Sequence, residues 1–257
     1  MDLQSYYKDY YKNNNYALSD NKLYSRFGFI EKFINESNVP IPTLLDVGCG
    51  DAAISTISYE MEYFGLDINV DKACTKRARQ HDLTQFPYPF EDKFFDLIIC
   101  SEVLEHMIDP ESILKEMHRL LKDDGKIFLS TPNHDWIDIK LDPFHFDVTY
   151  RTHLPHTFEH IRHYDKVSYE MLLDHAELEA IKYYGADAHF SPHLANLRKH
   201  MLEKIFQEEA EILPTGGLKQ TENLQLIDMM LGEGFPINSH TLICEVQKCV
   251  SPKLVRI

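Results

Sequence analysis

The chain has 257 residues, 44% hydrophobic and 26% charged, and no apolar run approaches the roughly 20 residues that span a bilayer. Its 41 acidic and 26 basic residues give a net charge of −15, which disfavours nucleic acid and anionic membranes as partners. The first residues have neither the basic nor the apolar region of a signal peptide. We therefore predict a single cytoplasmic domain over residues 1–257.

The cysteines are five in number and include no C-x-x-C pair. An odd count without paired spacing predicts reduced thiols rather than a disulfide framework or a zinc site. Three of them lie in apolar runs, where we expect core packing. They are Cys49, Cys74, Cys100, Cys244 and Cys249.

An amphipathic helix is predicted in LYSRFGFIEKFI, before the proline pair Pro40 and Pro42. Its apolar positions are Leu23, Phe27, Ile30, Phe33 and Ile34. Together with the preceding Tyr- and Asn-rich stretch it forms a predicted N-terminal helical cap over residues 1–36.

Strands and helices are then predicted in alternation. TLLDVG, EYFGLDI, FFDLIIC and KIFLSTP are typical of buried strands, and helices are expected near 52–60, 70–80 and 110–121. This rhythm predicts a doubly wound α/β fold, whose mostly parallel sheet is covered on both faces.

The C-terminal third adds a helix and a strand over 167–185, a long amphipathic helix over 193–213 and a last strand over 240–249. We predict that the segment 186–240, inserted before that strand, shapes an acceptor pocket or a homodimer contact. The alternative is that its helices are simply solvated.

A glycine turn follows the first predicted strand, in Asp46-Val47-Gly48-Cys49-Gly50. Glycine has no Cβ, so the backbone there can approach a ligand closely. Asp67 closes the next predicted strand, about twenty residues on, where a carboxylate can accept both ribose hydroxyls of a nucleotide. A strand, a glycine turn, a second strand and a terminal acid in this order predict a nucleotide site. The alternative is that the glycines only turn the chain.

Four segments resemble successive motifs of class I S-adenosylmethionine-dependent methyltransferases. They are LLDVGCGDAAIS, FGLDIN, HDLTQFPYPFEDKFFDLIICSEVLEH and LLKDDGKIFLSTPN, and the resemblance covers about residues 20 to 185. It implies S-adenosylmethionine as cofactor and a seven-stranded, Rossmann-like sheet with N-terminal helices. One position departs from the family, because Ala52 replaces the third glycine of its loop.

The resemblance assigns the nucleoside half of the cofactor to Asp67, Asp82 and Leu83. Asp67 would bind the ribose hydroxyls. Asp82 would accept from the exocyclic amine of adenine, and the backbone N–H of Leu83 would donate to a ring nitrogen.

The methionine half is assigned to residues on three other segments. Gly48 and Gly50 would border it, with Asp46 just behind them, and Ser101 would lie beside it. Arg26 matches an arginine that binds the methionine carboxylate in the ubiquinone-pathway relatives.

The stretch SEVLEHMIDP places Glu102, Glu105 and His106 at the spacing of one helical face. The same arrangement holds a magnesium-type ion in ubiquinone-pathway O-methyltransferases and in small-RNA 2′-O-methyltransferases. Many other methyltransferases carry this stretch without a metal, so a structural role for the trio stays open.

Five histidines follow the STPN segment, namely His145, His153, His156, His160 and His163. By resemblance, His160 best matches the additional histidine ligand of the RNA enzymes, and His156 is a weaker candidate. The predicted metal ligands are thus Glu102, Glu105, His106 and His160. Two carboxylates with two imidazoles suit Mn²⁺ or Fe²⁺ at least as well as Mg²⁺.

These residues predict an O-methyltransferase whose acceptor is a small polar molecule, such as a sugar or a nucleotide-linked sugar. His106 or His160 would remove the hydroxyl proton as a general base, unless a metal lowers the hydroxyl's pKa instead. Two alternatives remain: methylation of a 3′-terminal RNA 2′-hydroxyl, and cofactor binding without catalysis.

Overall fold

The protein contains a seven-stranded sheet of order β3-β2-β1-β4-β5-β7-β6. Its structure is a computed structural model that describes residues 25–70, 77–133, 160–186, 194–212, 218–219, 221–234 and 241–249. The first five strands pair in parallel, and β7 runs antiparallel between β5 and β6, which confirms the predicted mostly parallel α/β fold. The strands are β1 Thr43–Val47, β2 Glu62–Asp67, β3 Ala78–Gln80, β4 Phe95–Ser101, β5 Leu121–Pro132, β6 Leu178–Ala186 and β7 Thr241–Lys248.

Both faces of the sheet are buried because successive side chains of a strand point to opposite sides. In β1, Leu45 joins a core with helices α2 (Pro110–Leu120) and α3 (Lys166–His175). Its neighbour Leu44 joins a second core, on the other face, with helix α1 (Ser25–Asn35). The uninterrupted apolar strands of the sequence follow from this double burial.

Helices α2 and α3 begin at aspartates that cap them. Asp109 accepts the Ser112 N–H at 3.1 Å, with Pro110 in the first helical turn. Asp165 accepts the Ser168 N–H at 2.8 Å, and Ser168 bonds back to the Asp165 N–H. These caps satisfy N–H groups that a helix start leaves without partners.

The segment between β6 and β7 adds α4 (Ala195–Met201), a π-helical turn over Leu202–Phe206 and α5 (Glu222–Gly234). A buried ion pair between Arg198 and Asp228 joins α4 to α5, with a 2.6 Å contact. At Gly232, α5 lies so close to β6 that an added Cβ would stand 1.7 Å from the Gly185 carbonyl oxygen. Glycine is therefore required for this packing.

Three helix predictions were wrong in extent or type. The helix near 52–60 is one 3-10 turn over Ala53–Thr56, because Ile57 is already extended. Residues 78–80 form β3, since the free edge of β2 offers backbone partners, while 71–76 lie outside the described residues. The long helix ends at Phe206, where Gln207 adopts φ +55.

Among the described residues, Cys49, Cys100 and Cys244 are buried thiols and Cys249 is a partly exposed thiol. Cys74 lies outside the described residues. Within the same described ranges, no helix is both long enough and apolar enough to cross a membrane.

Candidate active site

The glycine loop after β1 turns back onto the end of β2. The N–H groups of Gly48 and Cys49 both donate to the Leu66 carbonyl, at 2.8 and 3.1 Å. Gly48 has φ +75, and a Cβ there would lie 2.4 Å from the Val103 side chain. Gly50 has φ +51 and open space where a Cβ would stand, so the loop is shaped for close approach by a ligand.

Ala52, the position that departs from the family, also adopts a left-handed conformation, with φ +58. This conformation costs an alanine about 1 to 2 kcal/mol and costs glycine almost nothing. The side chain is buried in the core beneath α1. The loop thus keeps the glycine-type backbone despite the substitution, at some expense in strain.

Asp67 ends β2 and bonds to the loop. Its two carboxylate oxygens accept the N–H groups of Gly50 and Asn69, each at 2.8 Å. Burial raises the pKa of Asp67, and these N–H donors offset part of that rise. A carboxylate has about four acceptor positions, so capacity remains for two further donors.

Asp46 lies behind the glycines and is buried. The Tyr63 hydroxyl donates to it at 2.7 Å. Burial raises the pKa of Asp46 to about 7, and the negative charge of nearby Asp67 adds to the rise.

Asp82 and Leu83 stand on the loop after β3. One Asp82 oxygen accepts both the N–H and the hydroxyl of Thr84, at 2.9 and 2.7 Å. The Leu83 carbonyl accepts the Tyr88 hydroxyl at 3.0 Å, whereas the Leu83 N–H has no acceptor among the described residues. An acceptor and a donor of hydrogen bonds therefore stand side by side here.

A hydrogen-bonded chain connects Ser101, Ser130, Glu102 and Arg26. The Ser130 hydroxyl donates to Glu102 at 2.9 Å and lies 2.8 Å from the Ser101 hydroxyl. Ser130 has one hydroxyl hydrogen, so Ser101 is the donor to Ser130 and keeps its own lone pairs for another donor. Glu102 also pairs with Arg26, at 3.5 Å.

The predicted helical face of Glu102, Glu105 and His106 is wrong in its geometry. Glu102 has φ +56, and only Leu104–His106 form a 3-10 turn, so Glu102 does not share a helix face with Glu105 and His106. A cluster nevertheless forms from Glu105, His106 and His160, whose ligand atoms all lie within 4.8 Å of one another. Glu102 is not a member of this cluster, which was found among the described residues.

Glu105 is the buried centre of the cluster, with 1% of its surface exposed. One carboxylate oxygen lies 3.5 Å from the Thr131 hydroxyl; the other has no hydrogen-bond partner in the described structure and lies 3.7 Å from His106 Nε2. Burial, followed by the charge of Glu102, raises the pKa of Glu105 well above its ordinary value. An unsatisfied buried oxygen of this kind favours an incoming proton, hydroxyl or cation.

His160 reaches the cluster because its segment binds the backbone of the 3-10 turn. The N–H groups of Ile161 and Arg162 donate to the Glu105 carbonyl at 2.9 and 3.1 Å, and the rings of His106 and His160 lie 4.9 Å apart. His163 lines a groove of about 390 Å³ beside α3. The other predicted histidines, His145, His153 and His156, lie outside the described residues.

Sequence reasoning missed four residues around the site: Tyr63, Tyr88, Ser130 and Thr131. Ser130 and Thr131 were visible in the STPN segment at the end of a predicted strand, and the ends of parallel strands meet at one edge of the sheet. The tyrosines carried no sequence signal, because their partners are 17 and 5 positions away in the chain.

The sheet order, the glycine loop and the acid that ends β2 define a nucleotide-binding α/β fold with a polar cluster at its carboxyl edge. The model of the methyltransferase domain family matches residues 13–183. This chain belongs to that family.

Curated relatives share part of this region. The ubiquinone biosynthesis O-methyltransferase of Pseudomonas paraeruginosa is 33% identical over 106 residues, which cover 36% of this chain and 45% of the relative. The protein of the same name from Idiomarina loihiensis is 33% identical over 122 residues, covering 43% of this chain and 49% of the relative. The matches thus span about half of each relative's length.

Solved structures share the fold. A Burkholderia thailandensis 1,6-didemethyltoxoflavin N1-methyltransferase, bound to 1,6-didemethyltoxoflavin and S-adenosylhomocysteine, aligns with a TM-score of 0.57 and 14% identity over 96% of this chain and 87% of that one. A methyltransferase of Archaeoglobus fulgidus aligns with a TM-score of 0.55 and 16% identity, over 95% of this chain and all of that one (100%).

Proposed function

We propose that the protein binds S-adenosylmethionine at the carboxyl edge of β1, β2 and β4 and methylates an oxygen of a small polar acceptor. A sugar or a nucleotide-linked sugar is the acceptor class we favour. The observation that carries this proposal is that the cluster of Glu105, His106 and His160 lies beside the glycine loop. Gly48 of this loop lies against the side chain of Val103, which directly precedes the 3-10 turn of Glu105 and His106.

The nucleoside half fits the charge pattern of the β2 and β3 ends. Asp67 keeps acceptor capacity for the two ribose hydroxyls after binding Gly50 and Asn69. Asp82 offers an acceptor and Leu83 a backbone donor, the pair that the amine and ring nitrogen of adenine require.

The methionine half carries an ammonium and a carboxylate. Ser101, which donates to Ser130, has lone pairs left for the ammonium. Arg26 supplies positive charge for the carboxylate, and Glu102 at 3.5 Å places a negative charge that also attracts the ammonium. Gly50 leaves the space in which the chain of the amino acid fits.

The chemistry needs an acceptor oxygen in line with the methyl group and a group that takes its proton. When bound, S-adenosylmethionine supplies a methyl group on a sulfonium, and the new oxygen–carbon bond forms as the carbon–sulfur bond breaks. His106 or His160 takes the hydroxyl proton on a ring nitrogen. Glu105 lies close enough to hold the ring of His106 through its unpartnered oxygen when that ring is protonated.

A divalent metal is a second candidate for activating the hydroxyl. Glu105, His106 and His160 offer one carboxylate and two imidazoles, and the unsatisfied Glu105 oxygen fits a cation. Bound there, a metal would lower the pKa of the acceptor hydroxyl. We favour the general base, because Glu102 contacts Arg26 and Ser130 instead of joining the cluster.

Chelation separates the two candidates. A general base predicts full turnover in EDTA, whereas a metal predicts loss of turnover and recovery with Mn²⁺. In either case Glu105→Gln is expected to lower turnover at least tenfold. If Glu105 were merely structural, the substitution would instead lower the unfolding temperature and leave turnover unchanged.

The proposed function itself is tested with labelled S-adenosylmethionine and a fractionated pool of small hydroxylated metabolites. Label is expected in a small polar product, and calorimetry is expected to give saturable binding of S-adenosylhomocysteine. Binding without transfer to any fraction would favour the non-catalytic alternative. Absence of binding would overturn the proposal.

A further inference from the structure

The loop that carries Asp82 and Leu83 is tied to helix α2 through Tyr88. This tyrosine is buried, with 1% of its surface exposed. All three of its polar groups are bonded: the hydroxyl donates to the Leu83 carbonyl at 3.0 Å, the N–H donates to Glu116 at 2.6 Å, and the carbonyl accepts from Arg119 at 3.2 Å.

Helix α2 makes this attachment rigid. Arg119 Nε donates to Glu116 at 3.0 Å, and the same guanidinium donates to the Phe90 carbonyl at 3.1 Å and to Asp92. A planar guanidinium presents five donors in a fixed geometry, so one side chain holds several points of the loop at once. Burial raises the pKa of Tyr88, which keeps its hydroxyl a donor.

The loop itself limits where Asp82 can point. One of its oxygens is occupied by the N–H and hydroxyl of Thr84, which orients the other. The ring of Tyr88 is flanked by Phe86, stacked at 5.5 Å, and by His81, edge-on at 5.1 Å. The position of the Leu83 peptide thus depends on Tyr88, which neither a cofactor nor an acceptor needs to touch.

We propose that Tyr88 is a positioning residue that sets base selectivity. It holds the Asp82 carboxylate, an acceptor, and the Leu83 N–H, a donor, where both meet the edge of adenine. This inference rests on the proposed function, since it takes the adenine of S-adenosylmethionine as the ligand. Adenine offers an amine donor beside a ring nitrogen that accepts. A 6-oxopurine offers a carbonyl acceptor beside a ring N–H donor, so the Asp82 carboxylate would face another acceptor and the Leu83 N–H another donor. Loosening the loop should therefore reduce discrimination between the two bases.

The test compares binding of S-adenosylhomocysteine and S-inosylhomocysteine to the full chain by calorimetry. Tyr88→Phe removes one hydroxyl and preserves the ring. The ratio of the two affinities is expected to fall about three- to tenfold, the effect of one hydrogen bond. Tyr59→Phe is the matched control, because its hydroxyl also donates to a backbone carbonyl at 3.0 Å, that of Val39 before β1. The control should leave the ratio unchanged.

An unchanged ratio in a folded Tyr88→Phe variant, with binding of S-adenosylhomocysteine retained, would overturn the inference and leave the proposed function standing. A wild-type protein that binds neither nucleoside would overturn both. Arg119→Lys provides a second variant if Tyr88→Phe unfolds, because lysine keeps the charge and loses the fork that holds the Tyr88 carbonyl. It should lower the same ratio, and an unchanged ratio would again contradict the inference.

Discussion

Buried carboxylates dominate the candidate site at the scale of single residues. Asp46, Asp67 and Glu105 all have raised pKa values, with burial as the main cause. Asp46 is held by a tyrosine hydroxyl and Asp67 by backbone N–H groups, rather than by cations. In such surroundings the ionised form of a buried acid is less favourable than it is beside a cation. Acids with raised pKa values of this kind are typical of functional sites.

Asp67→Ala should weaken binding of S-adenosylhomocysteine tenfold or more, because about 1.5–3 kcal/mol of hydrogen bonding to a charged group is lost. The exposed Asp124→Ala is the control for loss of one negative charge. Calorimetry on both folded variants measures the effect. Equal affinities of the wild type and Asp67→Ala for S-adenosylhomocysteine would contradict the assignment of Asp67 to the ribose hydroxyls.

Asp46→Asn should change how stability depends on pH. Since burial raises the pKa of Asp46 from 3.8 to about 7, its protonated form favours the folded state below about pH 4. That contribution is lost as the pH rises through about 7. Asparagine remains neutral, so the variant should be more stable than the wild type by a few kcal/mol at about pH 8, and much less so at about pH 5.

Urea unfolding of the cofactor-free protein at these two pH values measures the difference. Asp124→Asn, at an exposed position, should keep the pH dependence of the wild type. Parallel pH profiles for the wild type and Asp46→Asn would mean that Asp46 stays ionised throughout this range.

At the scale of elements, the packing of α5 on the sheet supports the helix that carries Arg26. Helix α5 crosses β6 at Gly232, and Lys32 of α1 pairs with Glu233 of α5. Gly28 of α1 lies against the Met229 side chain. The inserted segment therefore contributes to one of the two cores, whether or not it also shapes an acceptor pocket as predicted.

Gly232→Ala should lower the free energy of unfolding by about 2 kcal/mol or more, because a new methyl group would meet a backbone oxygen that cannot rotate away. Gly234→Ala, with no atom within 4 Å of the added Cβ, is the matched control and should change stability by less than about 1 kcal/mol. Thermal unfolding compares the two. Equal unfolding temperatures would show that α5 shifts without penalty.

At the scale of the whole molecule, the net charge of −15 bears on the acceptor. A protein that binds RNA gains affinity by presenting lysine and arginine to phosphates, and this chain has an excess of acids. A small polar acceptor requires no such surface. The alternative of a 3′-terminal RNA acceptor therefore depends on a local basic groove.

Incubation with labelled S-adenosylmethionine and a pool of short RNAs should leave the 3′-terminal ribose unlabelled. A known small-RNA 2′-O-methyltransferase in parallel establishes that the pool is competent. Efficient labelling by this protein, retained in Asp124→Ala and lost in His160→Ala, would reverse the order of the two acceptor classes.

The sequence by itself determined the fold class and the residues that stand at the ends of β1 and β2. Apolar runs, glycines and acids at strand ends are local signals, because each element buries its own faces and each turn needs its own backbone conformation. Asp46, Gly48, Gly50 and Asp67 were thereby placed correctly relative to β1 and β2. The roles of His145, His153 and His156, which lie outside the described residues, and the boundaries of the predicted cap and insertion remain predictions.

Only the tertiary structure decided which polar side chains meet. The spacing of Glu102, Glu105 and His106 predicted a helical face, but Glu102 takes φ +56 and contacts Arg26. His160, which only the family resemblance had grouped with these residues, lies 54 positions along the chain from His106, and the two rings are 4.9 Å apart. Likewise, residues 78–80 became a strand because β2 offered an unpaired edge. Contacts between distant segments depend on how the sheet brings strand ends together, and no local pattern of residues encodes that arrangement.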